Sequence, residues 1–199
     1  MLKTRTVVYA SGPVEAVLCL LAYRIISLLN CLGKIAEKII VARLVYLADI
    51  IDLLHFDQIG GRRKKSAIDV VMTLIYDIQV AKQDKKVISV LFIDVKGAFD
   101  HVSANQLIKI CINLGLPKSL CSWIDSFLVD RKIQLAFNNR TSIKTDIQIG
   151  IPQGSPISPI LFLIYIRNLF QDLESRGMSY IDDIGLVRYQ NRLKRIAKF

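Results

Sequence analysis

Apolar positions recur along this chain with two periods, which predict alternating helices and strands. A spacing of three to four residues marks residues 34–51 and a second stretch after Ser66, a residue type that often caps helices. We predict that the apolar stripes of both helices face the core. Their positions are Ile35, Ile39, Ala42, Val45 and Leu47 in the first helix, and Ile68, Val71, Met72, Ile75 and Ile78 in the second.

Residues 87–93 are rich in β-branched and apolar side chains, which predicts a buried strand. Local signals predict the elements that follow, because glycine often ends a helix and proline often begins one. These elements are a helix at 103–114 ended by Gly115, a helix begun by Pro117, strands at 133–137 and 143–149 joined across 138–141, and a helix at 160–170.

Three aspartates stand beside the apolar stretches. Asp94 closes the stretch 87–93, and the adjacent Asp182 and Asp183 precede the apolar run 184–187. An isolated Asp-Asp pair is typical of a turn, but the apolar neighbours favour a strand, where carboxylates are costly to desolvate unless a cation neutralises them. Carboxylate oxygens suit Mg²⁺, and paired ions can assist phosphoryl displacement. The pattern therefore predicts a divalent-metal site.

The segment 150–159 combines glycine, proline and serine ahead of an apolar helix. Pro152 fixes a backbone angle, and Gly154 allows the backbone to approach a ligand closely. Ser155 and Ser158 each precede a proline and are predicted to cap the helix. An ordinary joint between a loop and a helix is the alternative interpretation.

Composition adds an electrostatic preference. The 199 residues carry a net charge of +10, with a pI near 9.6, which favours polyanions such as nucleic acid. An anionic membrane surface would satisfy the same charge. The basic run 62–65 is either a solvated surface or a contact for the phosphate backbone.

Other residue types restrict the function further. The four cysteines lack metal-ligand spacing, so we interpret them as reduced core thiols: Cys19, Cys31, Cys111 and Cys121. His55 and His101 are predicted to be structural or solvated. No uninterrupted apolar run reaches about 18 residues, and no clean secretory signal is present. We therefore expect an intracellular protein, nuclear or cytoplasmic and not secreted, without stable membrane association.

Three motifs occur in a fixed order: DVKGAFD at 94–100, GIPQGSP at 150–156 and YIDD at 180–183. In this order they resemble the palm of reverse transcriptases from non-LTR (LINE-like, Jockey-type) retrotransposons. The resemblance covers roughly residues 22–187, including stretches at 23–30, 56–60 and 115–117. The resemblance implies an α+β fold, a right-hand polymerase palm with an antiparallel sheet and packed helices, with partial fingers and no thumb.

The resemblance also implies a domain organisation. Residues 1–21 form a leader that does not match the family, 22–93 partial fingers with the first palm strand, 94–188 the palm with its catalytic motifs, and 189–199 a basic tail. We expect a fragment truncated at both ends. The sequence does not indicate an oligomeric state.

Residue roles follow from the same resemblance. The expected catalytic residues are Asp94, Asp182 and Asp183, which with the Val95 carbonyl would hold two Mg²⁺ ions, with Mn²⁺ as a substitute. The expected nucleotide-binding residues are Arg24, Phe99, Gln153 and Gly154, with Phe99 crowding the sugar. The expected nucleic-acid contacts are Arg62, Arg63, Lys64 and Lys65. Ile25 replaces the proline that usually follows the arginine at position 24 in the family.

The implied reaction is RNA-directed DNA synthesis, with an RNA template, a DNA primer and deoxynucleoside triphosphates as partners. Two other interpretations remain open at this point. One is a catalytically inactive, nucleic-acid-binding remnant of such an element, which the net charge of +10 favours. The other is a membrane-associated basic protein with an apolar N-terminus.

Overall fold

A computed structural model describes residues 6–9, 26–27, 30–137, 140–171 and 176–191 of the chain. These residues form two compact units. The first contains the described residues up to Leu44 together with Phe99–Leu161, and the second contains Val45–Ala98 and the described residues from Phe162 onward. In the described part of the chain, no helix is long and apolar enough to span a membrane.

The helices and strands alternate along the chain, as the hydrophobic pattern predicts. In chain order they are β1 Thr6–Tyr9, β2 Ile26–Ser27, α1 Cys31–Ile50, α2 Ala67–Gln83, β3 Lys86–Asp94, α3 Ala104–Asn113, α4 Lys118–Leu128, β4 Arg131–Phe137, β5 Arg140–Thr141, β6 Thr145–Ile147, α5 Ser158–Ile166, a 3₁₀ helix Arg167–Phe170, β7 Arg176–Tyr180 and β8 Asp183–Asn191. A mixed fold of helices and antiparallel strands is thereby confirmed.

The sheet of the first unit is built around β4. Its strand order is β2-β1-β4-β5, with β6 also paired to β4. β1 runs parallel to β4, and the remaining pairs are antiparallel. The predicted hairpin is confirmed by the pairing of β4 with β5 and β6. The strand β6 in its second arm is shorter than the predicted strand 143–149.

Local signals set the ends of α3. The Ser103 hydroxyl accepts a hydrogen bond from the Gln106 N–H at 3.5 Å. At the other end Gly115 has φ +78°, a conformation that glycine adopts without strain, and the Leu116 N–H donates to the Cys111 carbonyl at 3.1 Å. This arrangement is a Schellman motif, so the predicted glycine stop is confirmed. α3 packs against α4.

The second unit contains the antiparallel sheet β3-β8-β7, and α2 contacts β3 and β7. Ser66 lies immediately before α2, as predicted. Its N–H donates to the Asp69 carboxylate at 2.6 Å, and its hydroxyl donates to the same oxygen at 3.0 Å. These two bonds hold the pKa of Asp69 below its usual value and fix the first turn of α2.

The predicted core-facing stripes of α1 and α2 are wrong. Ile35 and Ile39 are 56% and 57% exposed, and the five predicted positions of α2 are all exposed. The buried residues are instead Gly33, Glu37, Leu44 and Ala48 in α1, and Asp77 and Ala81 in α2. Both helices carry apolar residues on more than one face, and their buried acids have hydrogen-bonding partners, Ser155 for Glu37 and Arg176 for Asp77.

The prediction of a buried strand at 87–93 is also wrong. β3 is an outer strand of its sheet, and Leu91, Phe92 and Ile93 are 59%, 71% and 38% exposed. The apolar run of β8 differs, because Ile184 and Val187 are buried. A continuous apolar run therefore marked strands correctly but did not distinguish an outer strand from the central one.

Candidate active site

Sheet register brings the three predicted aspartates to one end of the second unit's sheet. Asp94 ends β3 and lies directly opposite Asp183, the first residue of β8. Asp183 also pairs with Tyr180 of β7, so Ile181 and Asp182 form the two-residue turn between these strands. Directly opposed residues on antiparallel strands project to the same face with Cβ atoms about 5 Å apart. Asp94 and Asp183 therefore share one face, with Asp182 next to them in the chain.

The strand predicted for the Asp182-Asp183 pair is confirmed for Asp183, which begins β8, and is wrong for Asp182, which lies in the solvent-accessible turn. Asp182 is half-exposed, and Asp183 and Asp94 are exposed. Ile181 has φ +61°, a conformation that is strained for a β-branched residue. A tight hairpin places its tip in solvent whatever the hydrophobicity of its strands. The aspartates thus avoid the desolvation cost that burial would impose.

The donor chemistry of this site fits a hard divalent cation. Its side-chain ligands are all carboxylate oxygens, which suit Mg²⁺. The Val95 carbonyl accepts a hydrogen bond from the Ala98 N–H at 3.2 Å, which leaves its second lone pair for a ligand. Across the described residues, however, no three His, Cys, Asp or Glu side chains are gathered closely enough to hold a metal ion. The fit therefore rests on donor type and strand register.

The segment that begins at Gly150 is hydrogen-bonded to Phe99 and its neighbours within the first unit. The Ile151 N–H donates to the Phe99 carbonyl at 2.7 Å, and the Gly150 N–H donates to the Val102 carbonyl at 2.8 Å. Gly150 has φ +85°, and a Cβ there would lie 2.8 Å from the Asp100 carbonyl oxygen. The structure thus brings half-buried Phe99 beside the start of the Pro-Gln-Gly segment.

Gln153 and Gly154 lie against β2. The Gln153 carbonyl accepts a hydrogen bond from the Ser27 N–H at 2.7 Å. Gly154 has φ +92°, and a Cβ there would lie 3.1 Å from Ile26 Cγ2 and 3.3 Å from the Ser27 carbonyl oxygen. The close approach that requires glycine here is made by the chain's own β2. Contact of Gln153 and Gly154 with a nucleotide stays a prediction.

The two serines of this segment hold the loop and do not act as the predicted helix caps. The Ser155 hydroxyl accepts from the Ile157 N–H at 3.3 Å and donates to the Glu37 carboxylate. Ser158 is the first residue of α5, and its hydroxyl donates to the Pro152 carbonyl at 2.7 Å. The prolines that follow both serines allow α5 to begin here without losing a hydrogen bond.

Glu37 is a residue that the sequence analysis missed. It is 2% exposed, and burial raises the pKa of its carboxyl. Hydrogen bonds from Ser155 and Ile157 and the nearby charge of Lys34 oppose this rise. Glu37 therefore anchors the segment of Gln153 and Gly154 to α1. Glu37 stands between Lys34 and Lys38 in α1, so nothing in the sequence distinguished it from a solvated charge.

The members of the basic run 62–65 differ in their surroundings. Arg62 donates from Nε to the Gln58 carbonyl at 2.9 Å, and from Nη2 to the carbonyls of Leu54 at 2.9 Å and His55 at 3.0 Å. Its side chain is only 19% exposed. The other three residues, Arg63, Lys64 and Lys65, are exposed. Arg24 lies outside the described residues.

Two of the predicted core thiols are confirmed and one is wrong. Cys111 and Cys121 are buried and free, whereas Cys31 at the start of α1 is exposed, and Cys19 lies outside the described residues. Burial raises the pKa of the Cys111 thiol to about 12, so it is protonated at neutral pH. His55 stacks on Phe170 with ring centroids 5.8 Å apart, and burial lowers its pKa, as expected of a structural histidine.

Comparison with known proteins decides the family. The family model described as reverse transcriptase (RNA-dependent DNA polymerase) matches residues 20–196. The chain belongs to the reverse transcriptase family. It is 31% identical to a probable RNA-directed DNA polymerase from transposon BS of Drosophila melanogaster, over 89% of this chain and 20% of that protein. It is 28% identical to the RNA-directed DNA polymerase from mobile element jockey of the same species, over 74% of this chain and 16% of that one.

Solved structures support the fold of this reverse transcriptase chain. The chain resembles an apo telomerase from Candida tropicalis with a TM-score of 0.62 and 10% identity, over 98% of this chain and 41% of that structure. At this identity the likeness concerns the fold alone. The predicted resemblance to non-LTR reverse transcriptases is confirmed, and the chain spans about a fifth of the transposon BS protein, 20% of its length.

Proposed function

We propose that this chain carries out RNA-templated addition of deoxynucleotides to a primer 3′-hydroxyl, as the polymerase part of a non-LTR retrotransposon protein. The observation that supports this most strongly is the register that opposes Asp94 and Asp183 beside Asp182, in a chain matched by the reverse transcriptase model over residues 20–196. The names of the related proteins, RNA-directed DNA polymerases, supply the reaction class. The assignment to a palm with partial fingers is part of this proposal.

Reverse transcriptases generally use divalent metal ions, and Mg²⁺ is the ion proposed here, with Mn²⁺ as a substitute. Asp94, Asp182, Asp183 and the Val95 carbonyl would hold a pair of such ions. When bound, the ions supply charge neutralisation and a lower pKa for the primer hydroxyl. The aspartates are exposed or half-exposed, so a triphosphate reaches them without opening the core. Phosphoryl transfer of this kind needs no side-chain nucleophile.

Nucleotide selection is assigned to residues outside the carboxylate group. Phe99 would crowd the sugar, while Gln153 and Gly154 would lie beside the nucleotide and the template base, and Arg24 would contact the triphosphate. Support comes from the backbone hydrogen bonds that join Phe99 to Ile151 and Gln153 to Ser27. Both bonds limit the conformational freedom of the backbone at Phe99 and Gln153. Preorganised groups of this kind reduce the entropy cost of orienting a substrate.

Template and primer contact is assigned to the exposed part of the basic run. Arg63, Lys64 and Lys65 are free to meet phosphates, in a chain with a net charge of +10. Arg62 was predicted to join them, but its three hydrogen bonds to carbonyl groups occupy the guanidinium. We therefore propose that Arg62 shapes the segment and that its exposed neighbours bind the backbone.

Primer extension tests the proposal. The wild-type chain is incubated with an RNA template, a DNA primer, deoxynucleotides and Mg²⁺, beside an Asp182→Ala, Asp183→Ala variant. We expect extension by the wild type and none by the variant. Asp84→Ala is the matched control, because Asp84 is a half-exposed carboxylate just before the opposite end of β3. Equal extension by the wild type and the double variant would contradict the assigned role of these aspartates.

A second candidate function is an inactive nucleic-acid-binding remnant. The observation that favours it is the lack, across the described residues, of a closed cluster of metal-binding side chains. Binding of the same template and primer, followed by anisotropy, separates the two candidates. If the wild type and its variants bind template and primer in a salt-sensitive way but none extends the primer, the chain is an inactive remnant. Extension that depends on Asp182 and Asp183 identifies a polymerase.

A further inference from the structure

Residues 57–60 cover the outer edge of β7 in the second unit. The Ser179 N–H donates to the Asp57 carbonyl at 2.9 Å. The Ser179 carbonyl in turn accepts from the N–H groups of Ile59 and Gly60 at 3.0 and 3.2 Å. Gln58 and Ser179 form a parallel bridge. The segment 57–60 thus continues the sheet beyond β7, next to the hairpin that carries Asp182 and Asp183.

The same segment is held from behind by buried polar groups. The Gln58 side chain is fully buried, donates to the Leu163 carbonyl at 2.8 Å and accepts from the His55 N–H at 2.9 Å. Arg62 fixes the Gln58 carbonyl at 2.9 Å as well. Buried hydrogen bonds of this kind are costly to break, so the segment resists displacement.

Gly60 lies directly against the turn. A Cβ at this position would be 2.7 Å from the Ile181 nitrogen and 3.2 Å from the Tyr180 Cα. Both neighbours are backbone atoms, which cannot move aside as a flexible side chain can. Ile181 has φ +61°, a conformation that persists only where the surroundings enforce it. The contact with Gly60 is one such constraint on the turn.

We infer that residues 57–60 position the carboxylate turn, with Gly60 setting the conformation of Ile181 and thereby the placement of Asp182. The inference rests on the proposed function, because the metal-holding role of Asp182 and Asp183 is itself proposed. Gly60 touches no reacting atom in this account and is a positioning residue. Simple packing would be the competing role for the segment. A positioning role predicts that a substitution at Gly60 changes metal affinity while the fold is retained, whereas a packing role predicts unchanged metal affinity in a folded variant.

The variant Gly60→Ala tests this inference, with Gly185→Ala as the matched control. Gly185 lies in the same hairpin, but a Cβ there would meet the flexible Met178 side chain, 3.0 Å from its Cγ. NMR of the metal-free proteins reports the backbone at Ile181 and Asp182, and electron paramagnetic resonance measures Mn²⁺ affinity. We expect Gly60→Ala to shift both backbone signals and to weaken Mn²⁺ binding by roughly tenfold to a hundredfold, as loss of an outer-shell support does.

The outcomes separate the inference from the proposed function. The positioning role is overturned if folded Gly60→Ala leaves the NMR signals of Ile181 and Asp182 unchanged. It is also overturned if Gly185→Ala shifts these signals and weakens Mn²⁺ binding as much as Gly60→Ala does. If the wild type binds no Mn²⁺, the proposed metal site is wrong, and the NMR comparison still tests the positioning role.

A measurement on the wild type covers the case in which Gly60→Ala does not fold. Hydrogen exchange should protect the amides of Ile59 and Gly60 as strongly as those of β7 and β8, because both donate to Ser179. Rapid exchange of Ile59 and Gly60 beside a protected hairpin would overturn the inference.

Discussion

Glu37 is a buried acid that joins α1 to the loop containing Ser155. Its carboxyl is almost inaccessible to water and accepts the hydroxyl hydrogen of Ser155, next to Gly154. Burial favours the neutral form of the group and raises its pKa. Folding therefore binds a proton more tightly at Glu37 than the unfolded chain does, which makes the stability of the fold depend on pH.

The sign of this dependence gives a prediction for Glu37→Gln. The wild type should lose stability as pH rises from the ordinary value of 4.5 to the raised folded pKa, by at most about 1.4 kcal/mol per pH unit. Glutamine cannot ionise, so the variant should lack this loss. Urea unfolding between pH 4 and pH 8 measures the difference, which isolates Glu37 from other groups such as Asp57. Parallel stability curves for the two proteins would refute the raised pKa as a source of pH dependence.

The hairpin of β7 and β8 is the element that carries Asp183 and the turn with Asp182, two of the proposed metal ligands. Its strands are anchored by buried Met178, Ile184 and Val187, while its turn holds Ile181 at φ +61°. Strain of this kind costs about 1–3 kcal/mol and occurs mainly at functional sites. The element thus combines a well-packed base with a strained tip.

Glycine substitutions at two positions of the hairpin should differ in their cost. Ile181→Gly should change the free energy of unfolding by no more than about 1 kcal/mol, because relief of strain offsets the entropy cost of glycine. Ile184→Gly should lower it by about 3 kcal/mol or more, because this side chain is 3% exposed and its loss leaves a cavity. Chemical denaturation measures both values. Similar losses at the two positions would mean that Ile181 is not strained.

The positions of helices and strands could be predicted from the sequence better than the residues that are buried, and the reason is physical. The ends of α3 follow from Ser103 and Gly115, which act on the nearest turn of the chain. Burial depends on neighbours distant in sequence, so the exposure of β3 and of the apolar stripe of α2 was not predictable from spacing. Asp94, Asp182 and Asp183 could be proposed from the sequence because their motifs are local, and strand register places them at one end of a sheet. The role inferred for Gly60 could not be predicted, because it depends on contact with Ile181, 121 positions later in the chain.

Across the whole molecule, charge is the property most relevant to partners. The chain carries 27 Lys and Arg residues against 17 Asp and Glu residues. Some of these cations are occupied within the fold, as Arg62 and Arg176 are by Gln58 and Asp77. The net charge therefore favours polyanions in general, while the exposed cations are the ones available for the proposed nucleic-acid contact.

Salt dependence distinguishes exposed cations from occupied ones. Arg63→Ala combined with Lys65→Ala should lower the slope of log affinity against log salt by roughly 1.5 to 2, one phosphate contact being lost for each residue. Lys86→Ala should leave the slope unchanged, because Lys86 is paired with Asp84 at 2.8 Å. Fluorescence anisotropy with a template-primer duplex measures both slopes. An unchanged slope in the double variant would exclude this surface as a phosphate contact.

Equilibrium Mn²⁺ binding is the most direct test of the central claim, that Asp94, Asp182 and Asp183 together form a divalent-metal site. Binding depends on the carboxylates themselves, whereas extension also requires template and primer. Electron paramagnetic resonance should show Asp94→Asn and Asp183→Asn each weakening Mn²⁺ affinity by at least about tenfold, because a ligand charge is lost without a change of shape. Asp84→Asn, before the other end of β3, should bind as the wild type does. Wild-type affinity in Asp94→Asn would contradict the account.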